Sequence, residues 1–116
     1  MLIGLDWFGT ITKEPELFAL VTSLLKQHGD IIYIISAVRK KEWDENAERY
    51  KQKVLADLKE NNIVFDELYT VEFEDPKEVP YVKLEKCKEL KIEYFFDDRN
   101  DVCFILNENG IITARV

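Results

Sequence analysis

Leu2-Ile3-Gly4-Leu5-Asp6-Trp7-Phe8-Gly9-Thr10 starts as a short apolar strand, closes on a carboxylate and turns at once through Gly-Thr. A second stretch of the same kind, Tyr94-Phe95-Phe96-Asp97-Asp98, lies near the other end of the chain. Carboxylates at the ends of buried strands are costly to desolvate. Their usual use is to hold a divalent cation or to meet a reacting phosphoryl group. These two strand ends set both the fold and the chemistry to look for.

Between them the chain alternates. Leu2 to Asp6 reads as a buried strand, and Glu16 to Gln27 as a helix with Leu17, Leu20, Val21, Leu24 and Leu25 at helical spacing. Ile31 to Ile35 is a continuous β-branched and aromatic run, so a strand covered on both faces. The longest helix is predicted over Glu42 to Glu60, with Trp43, Ala47, Tyr50, Val54 and Leu58 as its stripe. Glu67 to Phe73 is a weaker strand nearer an edge. Pro80 to Leu90 is a helix that opens on Pro, where a missing N–H does no harm. Glu93 to Asp97, Asp101 to Asn107 and Ile111 to Ala114 complete the series as strand, helix and strand.

This order predicts an α/β three-layer sandwich, a doubly wound parallel five-stranded sheet with helices on both faces. Ligand sites in such sheets lie beyond the carboxyl ends of the strands, near a switch in strand order. Asp6, Ser36 and Asp97-Asp98 all fall at predicted carboxyl ends.

Length and composition narrow the class. The 116 residues are read as one domain, 1–116, able to bury roughly two-thirds of its unfolded surface. A net charge of -7 disfavours holding nucleic acid through many phosphate contacts, but not touching one phosphate at a time. No basic region precedes the first apolar run, and Asp6 interrupts it, so no signal peptide is expected. No membrane contact is expected either, since no run approaches the roughly eighteen apolar residues of a span. The expected location is cytoplasmic, with Cys87 and Cys103 as two buried reduced thiols. His28, beside Gly29, is expected to face the last carbonyls of its helix.

Four segments, in order, carry a resemblance. Leu5-Asp6-Trp7-Phe8-Gly9-Thr10 is similar to a first motif of apolar strand plus Asp-x-Asp-Gly-Thr. Ile34-Ile35-Ser36 matches a Ser or Thr at the end of the next strand, and Lys83 in Pro80-Tyr81-Val82-Lys83 matches a helical Lys. Phe96-Asp97-Asp98 matches an acidic pair after an apolar strand. Together they make the chain resemble the haloacid dehalogenase-like (HAD) superfamily. The run Asp97-Asp98-Arg99 is most similar to the polynucleotide 3′-phosphatase and 5′-nucleotidase branches.

That resemblance implies a Rossmann-like HAD core and a Mg²⁺-dependent phosphatase working through an aspartyl-phosphate. It implies Asp6 as nucleophile and Mg²⁺ held by Asp6, the Phe8 carbonyl and Asp97 or Asp98. Ser36 and Lys83 complete the implied catalytic set, and Gly9, Thr10, Ala37 and Arg39 are expected to meet substrate. Alternatively Lys83, with Lys77 and Lys86, belongs to a solvated helix face. Asp101 reads equally as a carboxylate supporting the site or as a helix-start residue. The implied partner is a phosphorylated substrate, with a nucleotide or nucleic-acid end among the choices.

One residue departs from the pattern. The second Asp of the first motif, which in the phosphatases protonates the leaving oxygen and activates water, is Phe8 here. Acid–base help of that kind is worth roughly 10²–10⁴-fold, and a phenyl ring supplies none. Two readings follow: a slow phosphohydrolase, or an inactive relative that binds metal, phosphate or a protein partner. Neither the segment after Thr10 nor that between Phe73 and Pro80 is long enough for a cap domain, so the site is expected to be open or covered by a second subunit.

Overall fold

The apolar runs become the strands of a single parallel sheet. The computed structural model describes residues 1–116, with strands β1 (Leu2–Asp6), β2 (Ile31–Arg39), β3 (Glu67–Phe73), β4 (Tyr94–Asp97) and β5 (Ile112–Arg115). Their order is β3-β2-β1-β4-β5, every pair parallel. From β1 the chain winds outward through β2 to β3, then returns to the other side of β1 for β4 and β5. The switch in direction lies between β1 and β4, the two strands that end on Asp6 and Asp97.

Helices α1 (Pro15–His28), α2 (Lys40–Glu60), α3 (Val79–Leu90) and α4 (Asn100–Glu108) cover both faces. Alternation along β2 shows why. Ile32, Ile34 and Val38 join Leu5, Phe18 of α1 and Val54 and Leu58 of α2 in one core. Ile35, on the opposite face, joins Phe95, Val79 and Cys87 of α3 and Val102 and Leu106 of α4 in the other. This is a Rossmann-like three-layer α/β fold, with the weak strand β3 at one edge. No cap is evident: Thr12-Lys13-Glu14 leads into α1, and Glu74, Asp75 and a short 3₁₀ turn (Pro76–Glu78) lead into α3. No helix is long and apolar enough to cross a membrane.

Most element ends shift by a residue or so from the sequence reading, and three differences bear on the site or its surroundings. Strand β2 runs four residues past Ile35, because Ser36, Ala37, Val38 and Arg39 find a ladder partner in Thr70 to Phe73. Ser36 is therefore inside a strand, although level with the end of the shorter β1. Helix α2 begins at Lys40, two residues early. His28 turns its Nδ1 to the Asp30 carboxylate at 3.0 Å, not to the helix carbonyls, because the charged partner is within reach of a freely exposed ring. Cys87 and Cys103 are buried and unpaired, and burial pushes the Cys87 thiol up to about 12.

Gly4 sits in the middle of β1 because Phe95 of β4 leaves no room for a side chain. A Cβ there would lie 2.5 Å from Phe95 Cδ2. Gly4→Ala is expected to destabilise the protein by about 1–3 kcal/mol, the usual range for an overpacked core. Urea unfolding measures this, and an unchanged midpoint would mean the Phe95 ring has space to move.

Candidate functional site

Lys83 is the chain's least ordinary core residue. Its side chain is 2% exposed, yet it carries an ammonium. The Nζ donates to Asp6 Oδ1 at 2.7 Å and to Asp97 Oδ2 at 2.6 Å. One lysine from α3 thus ties together the ends of β1 and β4. Phe95 packs against it, the ring centroid 5.8 Å from Nζ, in the space that Gly4 leaves open.

The remaining carboxylate oxygens are also committed. Asp6 Oδ2 accepts from Thr10 Oγ1 at 3.0 Å, and Asp97 Oδ1 accepts from the Arg99 backbone N–H at 3.0 Å. Asp98 is different. It is only partly buried, and its carboxylate has no hydrogen-bond partner; only its carbonyl is engaged, by Arg115 Nε at 3.3 Å. Carboxylate oxygens of Asp6, Asp97 and Asp98 all lie within 4.8 Å of one another.

A wide five-residue turn, Trp7–Ile11, places Asp98 there. Gly9 has φ +84°, the left-handed region where glycine is at ease. A Cβ on Gly9 would stand 2.5 Å from Asp98 Oδ2. The Gly9 N–H donates to Thr12 Oγ1 at 2.9 Å, and the Thr12 N–H to the Trp7 carbonyl at 3.1 Å. Trp7 packs inward, its Nε1 donating to Asp57 at 2.8 Å. Phe8 points outward and is 76% exposed.

Beyond the carboxylates opens a cavity of about 310 Å³. Asp6, Lys83 and Asp98 form its polar floor, and Phe8, Phe73 and Val79 its apolar wall. Ser36 and Ala37 line it from β2, and Arg99 from the loop after β4. Ser36 Oγ is hydrogen-bonded to the Tyr50 hydroxyl, which also donates to the Ala37 carbonyl at 3.3 Å. Both bonds form when Ser36 donates to Tyr50, leaving the Ser36 oxygen as an acceptor.

The expected site residues thus fall into groups. Asp6, Lys83, Asp97 and Asp98 meet, with Phe8, Ser36 and Ala37 around the cavity. Lys83 is no part of a solvated helix face, because its ammonium points inward. Gly9 and Thr10 shape Asp98 and Asp6 from the adjoining turn. Arg39 stands apart: its guanidinium lies over the Phe73 ring at 5.3 Å and faces a neighbouring cavity of about 480 Å³ with Lys40 and Lys41. Nothing in the sequence singles out Phe73 and Val79 as lining residues, or Tyr50 as the partner of Ser36. Tyr50 reads as part of a helix stripe, Phe73 as a strand end and Val79 as linker, and no local signal separates a core aromatic from a cavity wall. Asp101 resolves as both of its alternatives, accepting from the Val102 N–H at 2.9 Å and gripping Arg99 through Nε at 3.0 Å and Nη2 at 2.7 Å.

Electrostatics make the cluster receptive to a cation. Burial pushes the Asp6 carboxyl up to about 7; Lys83 opposes that rise and Asp97 adds to it. Burial raises Asp97 too, while Lys83 stays charged because two carboxylates outweigh its desolvation. Three carboxylates against one ammonium leave two negative charges when all are ionised, the charge a divalent cation would balance. Hard oxygen donors and an unpartnered Asp98 beside a Gly9 cradle fit Mg²⁺.

No protein-family model matches the chain, and no curated protein matches it. Solved structures do. A chain of the Pnkp1/Rnl/Hen1 RNA repair complex aligns with TM-score 0.71 and 21% identity over 99% of this chain. The protein spans 42% of that longer chain, less than half its length. D,D-heptose 1.7-bisphosphate phosphatase from B. bronchiseptica, complexed with magnesium and phosphate, aligns with TM-score 0.62 and 13% identity over 97% of this chain and 78% of its own. A universal stress protein family member from Burkholderia pseudomallei gives TM-score 0.62 and 12% identity, covering 99% of this chain and 94% of its own. At these identities the likeness is one of fold, a parallel Rossmann-like sheet between helices.

The raised Asp6 pKa has a thermodynamic consequence. Folded Asp6 binds its proton more tightly than unfolded Asp6, so its contribution to stability is complete below about pH 4 and lost as pH rises through about 7. In a chelator, Asp6→Asn is expected to flatten that decline. Urea titrations at pH 5 and pH 8 measure it; parallel curves for the two proteins would contradict the assignment.

Proposed function

We propose that the protein is a phosphohydrolase that cleaves a phosphate monoester through an aspartyl-phosphate at Asp6, with Mg²⁺ as its cofactor. The observation that carries this reading is the buried ammonium of Lys83 shared between Asp6 and Asp97, beside an unpaired Asp98. A carboxylate that is to attack an anionic phosphoryl group must be held still and its charge offset. Lys83 and Thr10 hold Asp6, each from one oxygen. Asp97 acts from beneath, fixing Lys83 and accepting the Arg99 amide.

Asp6, the Phe8 carbonyl and Asp98 are the residues that would hold Mg²⁺, which when bound offsets charge on the carboxylates and phosphoryl oxygens. Ser36 and Ala37 line the cavity a phosphoryl group would enter, and Ser36 would offer it a proton only by turning from the Tyr50 hydroxyl. Gly9 gives Asp98 its space, and Arg39 would meet a longer substrate in the neighbouring cavity, where Lys40 is paired with Asp44, and Glu45 and Glu74 share the lining. Likeness to a chain of an RNA repair complex supports a nucleotide or nucleic-acid end among the substrates to be tried.

Phe8 favours a second reading. No side chain stands in the place of an acid, so a relative that binds metal and phosphate without turnover is the alternative. Release of phosphate from 4-nitrophenyl phosphate separates the two. The expected result is slow turnover that needs Mg²⁺ and vanishes in Asp6→Asn. Phe8→Asp is expected to raise turnover of nucleoside monophosphates by about 10²–10⁴-fold. Turnover indifferent to Asp6, or absent throughout, would leave the binding protein as the account.

A further inference from the structure

Phe8 is the most exposed large hydrophobic side chain in the protein, and it stands at the mouth of the Asp6 cavity. Its display is built: the hydrogen bonds of Gly9 and Thr12 hold the turn, and Trp7, anchored on Asp57, tilts against the Phe8 ring at 6.3 Å between centroids. Phe73 and Val79 extend the same apolar wall. Apart from Asp6 itself, the proton-bearing side chains that line the cavity are all engaged. Lys83 is bound to two carboxylates, the Ser36 hydroxyl is engaged with Tyr50, and Arg99 is held by Asp101.

Resting on the phosphohydrolase reading, we propose that the substrate is an aryl phosphate, its aromatic ring against Phe8 and its phosphoryl group over Asp6. A leaving oxygen that receives no proton must depart as an anion. A phenol has a pKa of about 10, whereas an alkyl alcohol is near that of water, about 16. Only the first leaves readily without an acid, and only the first brings a ring for Phe8 to stack on. An oxygen of the Asp6 carboxylate attacks phosphorus, the bond from phosphorus to the aryl oxygen breaks, and its electron pair leaves on the phenolate. The phenolate takes its proton from solvent. Water then attacks phosphorus, the Asp6 oxygen departs with its electron pair, and the surplus proton of that water passes to solvent. The sum is aryl phosphate plus water giving a phenol and inorganic phosphate.

The test compares phenyl phosphate, a phosphotyrosine peptide, glycerol 2-phosphate and a 3′-phosphorylated oligonucleotide on the intact chain with Mg²⁺, beside Asp6→Asn. Expected is a kcat/KM at least about 10²-fold higher for the aryl esters than for the alkyl esters. The peptide and the small ester distinguish a protein source from a free metabolite of the same chemistry. Binding gives a second reading: phenylphosphonate is expected to bind about tenfold tighter than methylphosphonate, a preference that Phe8→Ser lowers to within about twofold. Aryl and alkyl esters cleaved alike, in an Asp6-dependent reaction, would overturn the aryl assignment and leave the phosphohydrolase standing. No Asp6-dependent cleavage of any ester would overturn both.

Discussion

A buried ammonium between two buried carboxylates is the constraint on which the rest of the structure depends. Each charge alone would cost several kcal/mol to bring out of water. Together they are tolerable only at hydrogen-bonding distance, so the ends of β1 and β4 and the second turn of α3 must converge. That convergence fixes the place where the sheet reverses its winding order. Gly4 follows from it, since Phe95 must fill the space below Lys83. So does Gly9, since Asp98 must approach the same point from above. Removing one partner of a buried pair usually costs about 3–5 kcal/mol, whereas replacing the set by apolar residues is often neutral. A purely structural cluster would have little reason to remain charged.

Most of the fold was legible because it is written in period and punctuation. Ile31 to Ile35 has to be a doubly covered strand, and the leucine spacing of α1 has to be a helix. The end of β2 was not legible. Ser36 to Arg39 reads locally as a loop, and becomes strand only because β3 lies alongside it. Within the site, the sequence marked the residues whose chemistry is costly: Asp6, Lys83, Asp97 and Asp98. It failed where the chemistry is cheap. Nothing local marks Phe73, Val79 and Tyr50, and their turn toward the cavity is decided by packing between distant segments. Arg39 was marked by its charge, but the extra strand residues carry it to the neighbouring cavity.

Phe8 is where local rule and site geometry disagree most openly. An exposed phenyl ring gains nothing for folding, and its position deprives the cavity of an acid. Both features make sense together if the leaving group is aromatic and departs unaided.

In the proposed phosphohydrolase, Asp6 takes the phosphoryl group. With no general base at position 8, the covalent intermediate should form faster than it is hydrolysed, and it should accumulate. Brief incubation with phenyl phosphate and Mg²⁺, acid quenching and mass spectrometry of the resulting peptides test this directly. The account predicts one added phosphoryl group on Asp6, labile to hydroxylamine and absent from Asp6→Asn. A phosphoryl group found on Ser36 instead, or phosphate released with Asp6 never labelled, would contradict it.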